Sequence, residues 1–310
     1  MARFDFAFTE RDSPEIRARI AHDLGTIVDA VRAADPHLVA LVLTGGFSRG
    51  EGTVRDGAPI NDYDLVAVRS RPGGDARMQA LGNRLSDEIG LEVDLLPVWR
   101  ARLPRVGRKL FWLDLRLGGR VLDGDPSVLA SLPQLSPGDL DPVEGARLLG
   151  NRAAGLILAL PAPSELPDAR LVAIQSAKAV LAAMDATLLH EGLYAPTLRG
   201  RLALSKGHPR RDLFARAVEW KLSGGGAPEV AWTDARDALL DAVEATGAWR
   251  ARDGWTERCY HLLRAKRVAM HPSTSIRRQA WSLLRETAWP APPTPDAKPR
   301  FFAARALTLQ

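Results

Sequence analysis

The chain has 310 residues, of which 46% are hydrophobic and 25% charged, with one cysteine and a formal net charge of +5. That length buries a sizeable core and matches about two ordinary domains, and the composition excludes a fibrous or disordered chain. The lone Cys259 excludes an internal disulfide framework and a cysteine metal cluster. The opening "MARFDFAFTERDSPE" carries charges where a leader needs an apolar run, and no later run approaches the roughly 18 uninterrupted apolar residues of a membrane span. A cytoplasmic protein with no membrane partner is expected.

Residues 13 to 34 place Ile16, Ile20, Leu24, Ile27, Val28 and Val31 at three-to-four spacing, which predicts an amphipathic helix capped by Ser13 with Pro14 in its first turn. "HLVALVLTG" reads as a buried strand closed by glycine, "YDLVAV" as a second and "LEVDLLPV" as a third, with a helix over 75 to 89 between the last two. "KLFWLDLRLGGRVLDGD" predicts two strands joined at Gly118 and Gly119. This order implies a small mixed sheet carrying helices.

The texture changes at the turn-rich "SLPQLSPGDLDPVEG". Beyond it, segments 143 to 160, 168 to 190, 209 to 222, 232 to 246 and 255 to 269 favour helix, separated by clusters such as "SGGGAP". The fold class is therefore α+β. A catalytic head over 1–130 is followed by an all-helical domain over 131–310, ending in the irregular "PAPPTPDAKPR".

Side chains alternate along a strand, so Asp62 and Asp64 face the same way. Close carboxylates repel unless cations neutralise them, and hard divalent ions favour carboxylate oxygen. Asp94 interrupts the apolar third strand; if the two strands pair, the acids converge. The structural alternative has Asp62 capping a turn and Asp94 facing solvent. Against it, Asp64 and Asp94 each lie in an apolar run, where an unpaired buried carboxylate costs several kcal/mol. Gly45 and Gly46 allow a sharp turn and close backbone approach to a ligand, and the following residues can open a short helix whose free amides suit phosphate. No GK[ST] follows and no GxGxxG is present, so neither a Walker loop nor a dinucleotide fingerprint applies.

"GGFSRGEG…NDYDLVAV…VDLLPV" resembles the DNA polymerase β-like nucleotidyltransferase superfamily. Its pattern is a strand, a glycine pair or Gly-Ser, a short helix, two acids one residue apart and a third acid on a later strand. The resemblance is closest to stand-alone bacterial members in which a helical domain follows the head. It implies a nucleotidyltransferase using two Mg²⁺ ions, or Mn²⁺, and an NTP donor, with ATP favoured. Gly45 and Gly46 match the glycine pair, Ser48 the triphosphate contact, Asp62 and Asp64 the metal ligands, and Asp94 the ligand of the catalytic metal. Arg49 and Lys178 are the cations expected at the phosphates, with Arg152 and Lys221 as further candidates. "TVRDGAPI" departs from the pattern as a slightly long insertion.

The expected acceptor is a hydroxyl of a small molecule such as a sugar or antibiotic. The alternatives are RNA, a protein, or a catalytically silent nucleotide-binding partner. Residues 1 to 130 hold 18 Lys+Arg against 19 Asp+Glu and the rest 24 against 18. That C-terminal basic surplus favours a polyanion only weakly, since no RNA module and no interleaving of aromatic with basic residues stands out. Asp185 reads as an acceptor-binding carboxylate or, more simply, as an arginine's partner, and Tyr194 and Trp220 as base-stacking or packing residues.

Overall fold

The computed structural model describes residues 4–159, 168–225 and 229–248. The expected helix over 255 to 269, the tail and Cys259 lie outside them. The chain forms two compact units, one of Met1–Leu140, Ala195–Leu198 and Lys221–Ala227, the other of Asp141–Tyr194, Arg199–Trp220 and Pro228–Gln310. The first is a mixed sheet flanked by helices and the second is helical, as the sequence pattern requires.

α1 (Pro14–Ala34) starts where Ser13 accepts a hydrogen bond from the Ile16 amide at 3.3 Å, with Pro14 at the first helical position. β1 (Leu38–Leu43) leads into the single turn α2 (Gly45–Ser48). β2 (Val54–Arg55) and β3 (Ala58–Pro59) form a small hairpin. Its tip holds Asp56 at φ 50° and Gly57 at φ 75°, the two positive values that a tight hairpin turn requires. This hairpin accounts for the "TVRDGAPI" insertion. β4 (Tyr63–Arg69) and β5 (Val93–Trp99) are joined by α3 (Asp75–Ile89) and run parallel.

A 3₁₀ segment, Arg100–Arg105, follows β5. Next come α4 (Leu110–Gly118) and β6 (Arg120–Gly124), giving the sheet order β5-β4-β1-β6. The hairpin expected over "KLFWLDLRLGGRVLDGD" is thus corrected to helix followed by strand. Leucine and arginine are strong helix formers, and the helix buries Leu110, Leu113 and Leu115. The Gly119 amide closes it on the Leu115 carbonyl at 3.0 Å.

Each face of the sheet has its own core. Leu41, Leu43, Tyr63, Leu65, Val93 and Leu95 pack with the apolar stripes of α1 and α3. Ala40, Val42, Val66 and Val68 pack on the opposite face with Leu103, Leu115, Val128 and Leu132. The alternation places Asp64 and Asp94 on this second face.

In the helical unit, α5 (Val143–Leu158) and α9 (Trp232–Thr246) pack on α6 (Ala169–His190). α6 is long and apolar enough to cross a membrane, but most of it is buried in this unit as a core helix. Trp232 Nε1 donates to the Leu156 carbonyl at 3.0 Å and ties α9 to α5. α7 (Leu198–Leu204) and α8 (Arg211–Leu222) complete the described helices.

Candidate active site

The pairing of β4 with β5 is in register, with Tyr63 opposite Val93, Asp64 opposite Asp94 and Leu65 opposite Leu95. Neighbouring strands lie about 5 Å apart, so the two carboxylates leave the same face side by side. Asp62 comes just before β4, close enough to act electrostatically on Asp64. Asp62 and Asp94 are exposed, whereas Asp64 is half-buried. On the opposite face Tyr63 fixes the strand: its ring stacks on Phe47 of α2 at 4.9 Å and its hydroxyl donates to Asp23 at 3.0 Å. That contact holds α2 against the start of β4.

Gly45 carries a positive φ of 72°, and a Cβ on it would meet Asp64 Oδ2 at 2.2 Å. The Asp64 carboxylate therefore rests against the glycine backbone, and the Thr44 amide donates to the Asp64 carbonyl at 2.9 Å. A side chain at Gly45 would both strain the turn and displace the carboxylate. Burial pushes the Asp64 carboxyl up to about 7, with Asp62 and Asp94 adding repulsion and Arg49 partly offsetting it. The excess of negative charge is the electrostatic setting in which a divalent cation is favoured.

The donor chemistry thus fits a hard ion: carboxylate oxygens on one face and a half-buried acid resisting ionisation without a cation. Among the described residues, however, no group of three or more His, Cys, Asp or Glu side chains is gathered in a ligating cluster. The acids form an in-register pair with an exposed neighbour.

The remaining expected residues are distributed differently. Gly46 occupies the α2 turn, and a Cβ there would come within 3.2 Å of the Glu51 carbonyl. The buried Ser48 hydroxyl donates to the Gly45 carbonyl at 3.0 Å, inside the turn. Arg49 has its Nε 3.5 Å from Glu51 and an Nη 3.9 Å from Asp114, so its charge is shared between partners close to the glycine turn. Lys178 is exposed on α6 and belongs to the helical unit, as does the half-buried Arg152. Lys221 is half-buried near the end of α8.

Asp185 is buried and pairs with Arg201 at 2.7 Å, the simpler of its two expected roles. The Arg201 guanidinium also covers the Tyr194 ring at 4.7 Å, and Trp220 is buried. One residue escaped the sequence reading: Glu51, 4% exposed, accepts from the Leu198 amide while facing Arg49. The signal was an acid inside an otherwise glycine-rich turn.

No family model matches the chain, and no curated protein matches it. Among solved structures, it resembles a rebuilt and re-refined complex of a tri-AMPylated Shewanella oneidensis HEPN toxin with MNT antitoxin. The match has 17% identity over 34% of this chain and 71% of that one, with a TM-score of 0.25. A toxin–antitoxin complex with AMP-PNP matches at 19% identity over 34% of this chain and 77% of that one, with a TM-score of 0.28. The expected small-molecule acceptor is not carried forward: in the first of these complexes the AMPylated molecule is a protein, the toxin. The chain is thus a distant, partial match to a HEPN toxin–MNT antitoxin complex and to a second toxin–antitoxin complex, the latter with AMP-PNP.

Proposed function

We propose that the first unit is a nucleotidyltransferase that moves a nucleotidyl group, AMP from ATP in the first instance, to a hydroxyl carried by a macromolecule. The observation that carries the reading is the in-register pairing of Asp64 with Asp94, with Gly45 packed on the Asp64 carboxylate. In this reading Asp62, Asp64 and Asp94 hold divalent ions. When bound, such ions lower the pKa of an acceptor hydroxyl and offset charge on the leaving pyrophosphate.

The chain's own residues contribute placement. Gly45 leaves room for the Asp64 carboxylate against the backbone, the Tyr63 and Phe47 stack holds the glycine turn against the strand, and Arg49 adds positive charge beside Asp64. These effects position the donor and balance its charge, the main protein contributions to phosphoryl-type transfer. A protein is the acceptor to test first, since AMP is carried by a protein toxin in one matched complex.

The test is incubation of the full chain with each NTP, Mg²⁺ or Mn²⁺ and a lysate of the host cell, followed by intact-protein and peptide mass spectrometry. The expected result is a host protein carrying a nucleotidyl group that is absent when Asp64→Asn replaces the parent. Modification at equal yield by that variant would remove the acids from the reaction.

A further inference from the structure

The far end of β5 opens into a cleft of about 510 Å³ that the transfer reaction does not use. Trp99 and Trp112 line it together with Arg102, Arg105 and Lys109, and Asp75 is its one acid among the described residues. The basic side chains are exposed. No ion pair joins Arg102, Arg105 or Lys109 to a carboxylate among the described residues, whereas neighbouring Arg100 is paired with Asp125 at 2.8 Å. Trp99 is 38% exposed, and its Nε1 is anchored on the Ser70 carbonyl at 3.2 Å, which holds the indole while leaving ring surface open. Trp112 packs edge-on against Phe111 at 4.8 Å.

Aromatic and basic residues already stand together in the linear sequence here, and folding gathers them on one concave surface. The 3₁₀ turn Arg100–Arg105 and the start of α4 bring "WRARLPRVGRKLFW" around one hollow. Unpaired cations suit phosphates, and indole faces suit unstacked bases. A peptide strand is disfavoured: β5 is an edge of the sheet, but Pro97 removes a backbone donor within the part of the strand that lines the cleft. The Asp75 carboxylate adds an acceptor suited to a ribose 2′-hydroxyl, the donor that DNA lacks.

We propose that this cleft binds single-stranded RNA. The phosphates lie along Arg102, Arg105 and Lys109, and a base stacks on Trp99. The cleft also adjoins the acids. Leu96, 41% exposed, lines it and follows Asp94 on the same face of β5, two residues or about 7 Å further along. The inference stands apart from the proposed transfer, since binding requires neither NTP nor metal.

Fluorescence anisotropy of a labelled single-stranded RNA of mixed sequence, titrated with the full chain without NTP or divalent ion, tests it. The parent should bind more weakly as salt rises. The triple variant R102Q/R105Q/K109Q should bind at least about tenfold more weakly, with a log-affinity against log-salt slope shallower by about two. Trp99→Ala should weaken binding and leave that slope unchanged, and it decides the matter if circular dichroism shows the triple variant unfolded. Parental affinity in the folded triple variant or in Trp99→Ala, equal affinity for DNA of the same sequence, or displacement by an acidic peptide would overturn the proposal. RNA binding without transfer by the parent would retain the cleft and reject the reading of the acids.

Discussion

The two ends of β4 treat acids in opposite ways. At its C-terminal end Arg69 reaches Asp35, and both side chains are almost fully buried, at 7% and 0% exposure. The Arg69 guanidinium holds the Asp35 carboxyl below its ordinary range, and the His37 amide adds a further hydrogen bond at 3.0 Å. At the N-terminal end Asp64 is pressed against Gly45 beside two other acids and is pushed upward. One acid has its cation built into the fold; the other lacks enough positive charge to be comfortable ionised. The contrast separates an acid whose charge the fold neutralises from one whose charge it leaves largely uncompensated.

The largest expected effect breaks the acidic end. Asp64→Asn should lower transfer at least about a thousandfold, on the order of 4 kcal/mol in the barrier. It should leave the urea midpoint unchanged or raised, because a carboxylate that resists ionisation is removed. Single-turnover transfer and urea denaturation read the two quantities side by side. A variant that loses stability in step with activity would make Asp64 a structural residue.

The paired end should respond in reverse. Arg69→Met leaves Asp35 buried without its cation and should cost about 3 to 5 kcal/mol of unfolding free energy, while the double change Arg69→Met/Asp35→Asn recovers much of that loss. Urea unfolding of the parent, Arg69→Met, Asp35→Asn and the double variant forms a double-mutant cycle, and purely additive losses would contradict the account.

Asp94→Asn is the finer probe of the site. Its carboxylate is exposed and opposite Asp64, so nucleotide binding should largely persist while transfer falls by about a hundredfold. Near-parental single-turnover transfer would remove Asp94 from the site.

The smallest effect is a pH dependence. Asp35 has a depressed carboxyl in the folded state, so the unfolded chain binds the proton more readily, and stability must fall with acid. The contribution of the pair is complete above the ordinary carboxyl value of 3.8 and is lost as pH drops through the lower folded value. Thermal melts down an acid series should show this limb in the parent and a flatter one in Arg69→Met/Asp35→Asn.

Much of the acidic end is legible in the sequence because it depends on local rules. Alternation predicts that Asp62 and Asp64 share a face, and paired glycines mark the close turn before them. The match of Asp64 to Asp94 depends instead on strand register across a helical crossover, which no local pattern sets. The Arg69 to Asp35 pair was missed for the same reason, since it joins residues 34 positions apart. α4 was misread because alternating leucines and charges in "LDLRL" imitate a strand, whereas helix propensity and burial on the sheet decide the outcome. The basic and aromatic residues of the Trp99 to Trp112 cleft stand together in the sequence, but that they line one hollow depends on the 3₁₀ turn.

The central claim is that the acids at the start of β4 and β5 take their missing positive charge from ions that carry the nucleotide. Calorimetric titration of ATP with Mg²⁺ into the parent and into Asp62→Asn/Asp64→Asn tests it most directly. The account predicts metal-dependent binding by the parent that disappears in the double variant while the fold is kept. Binding of equal strength in the two proteins would contradict it.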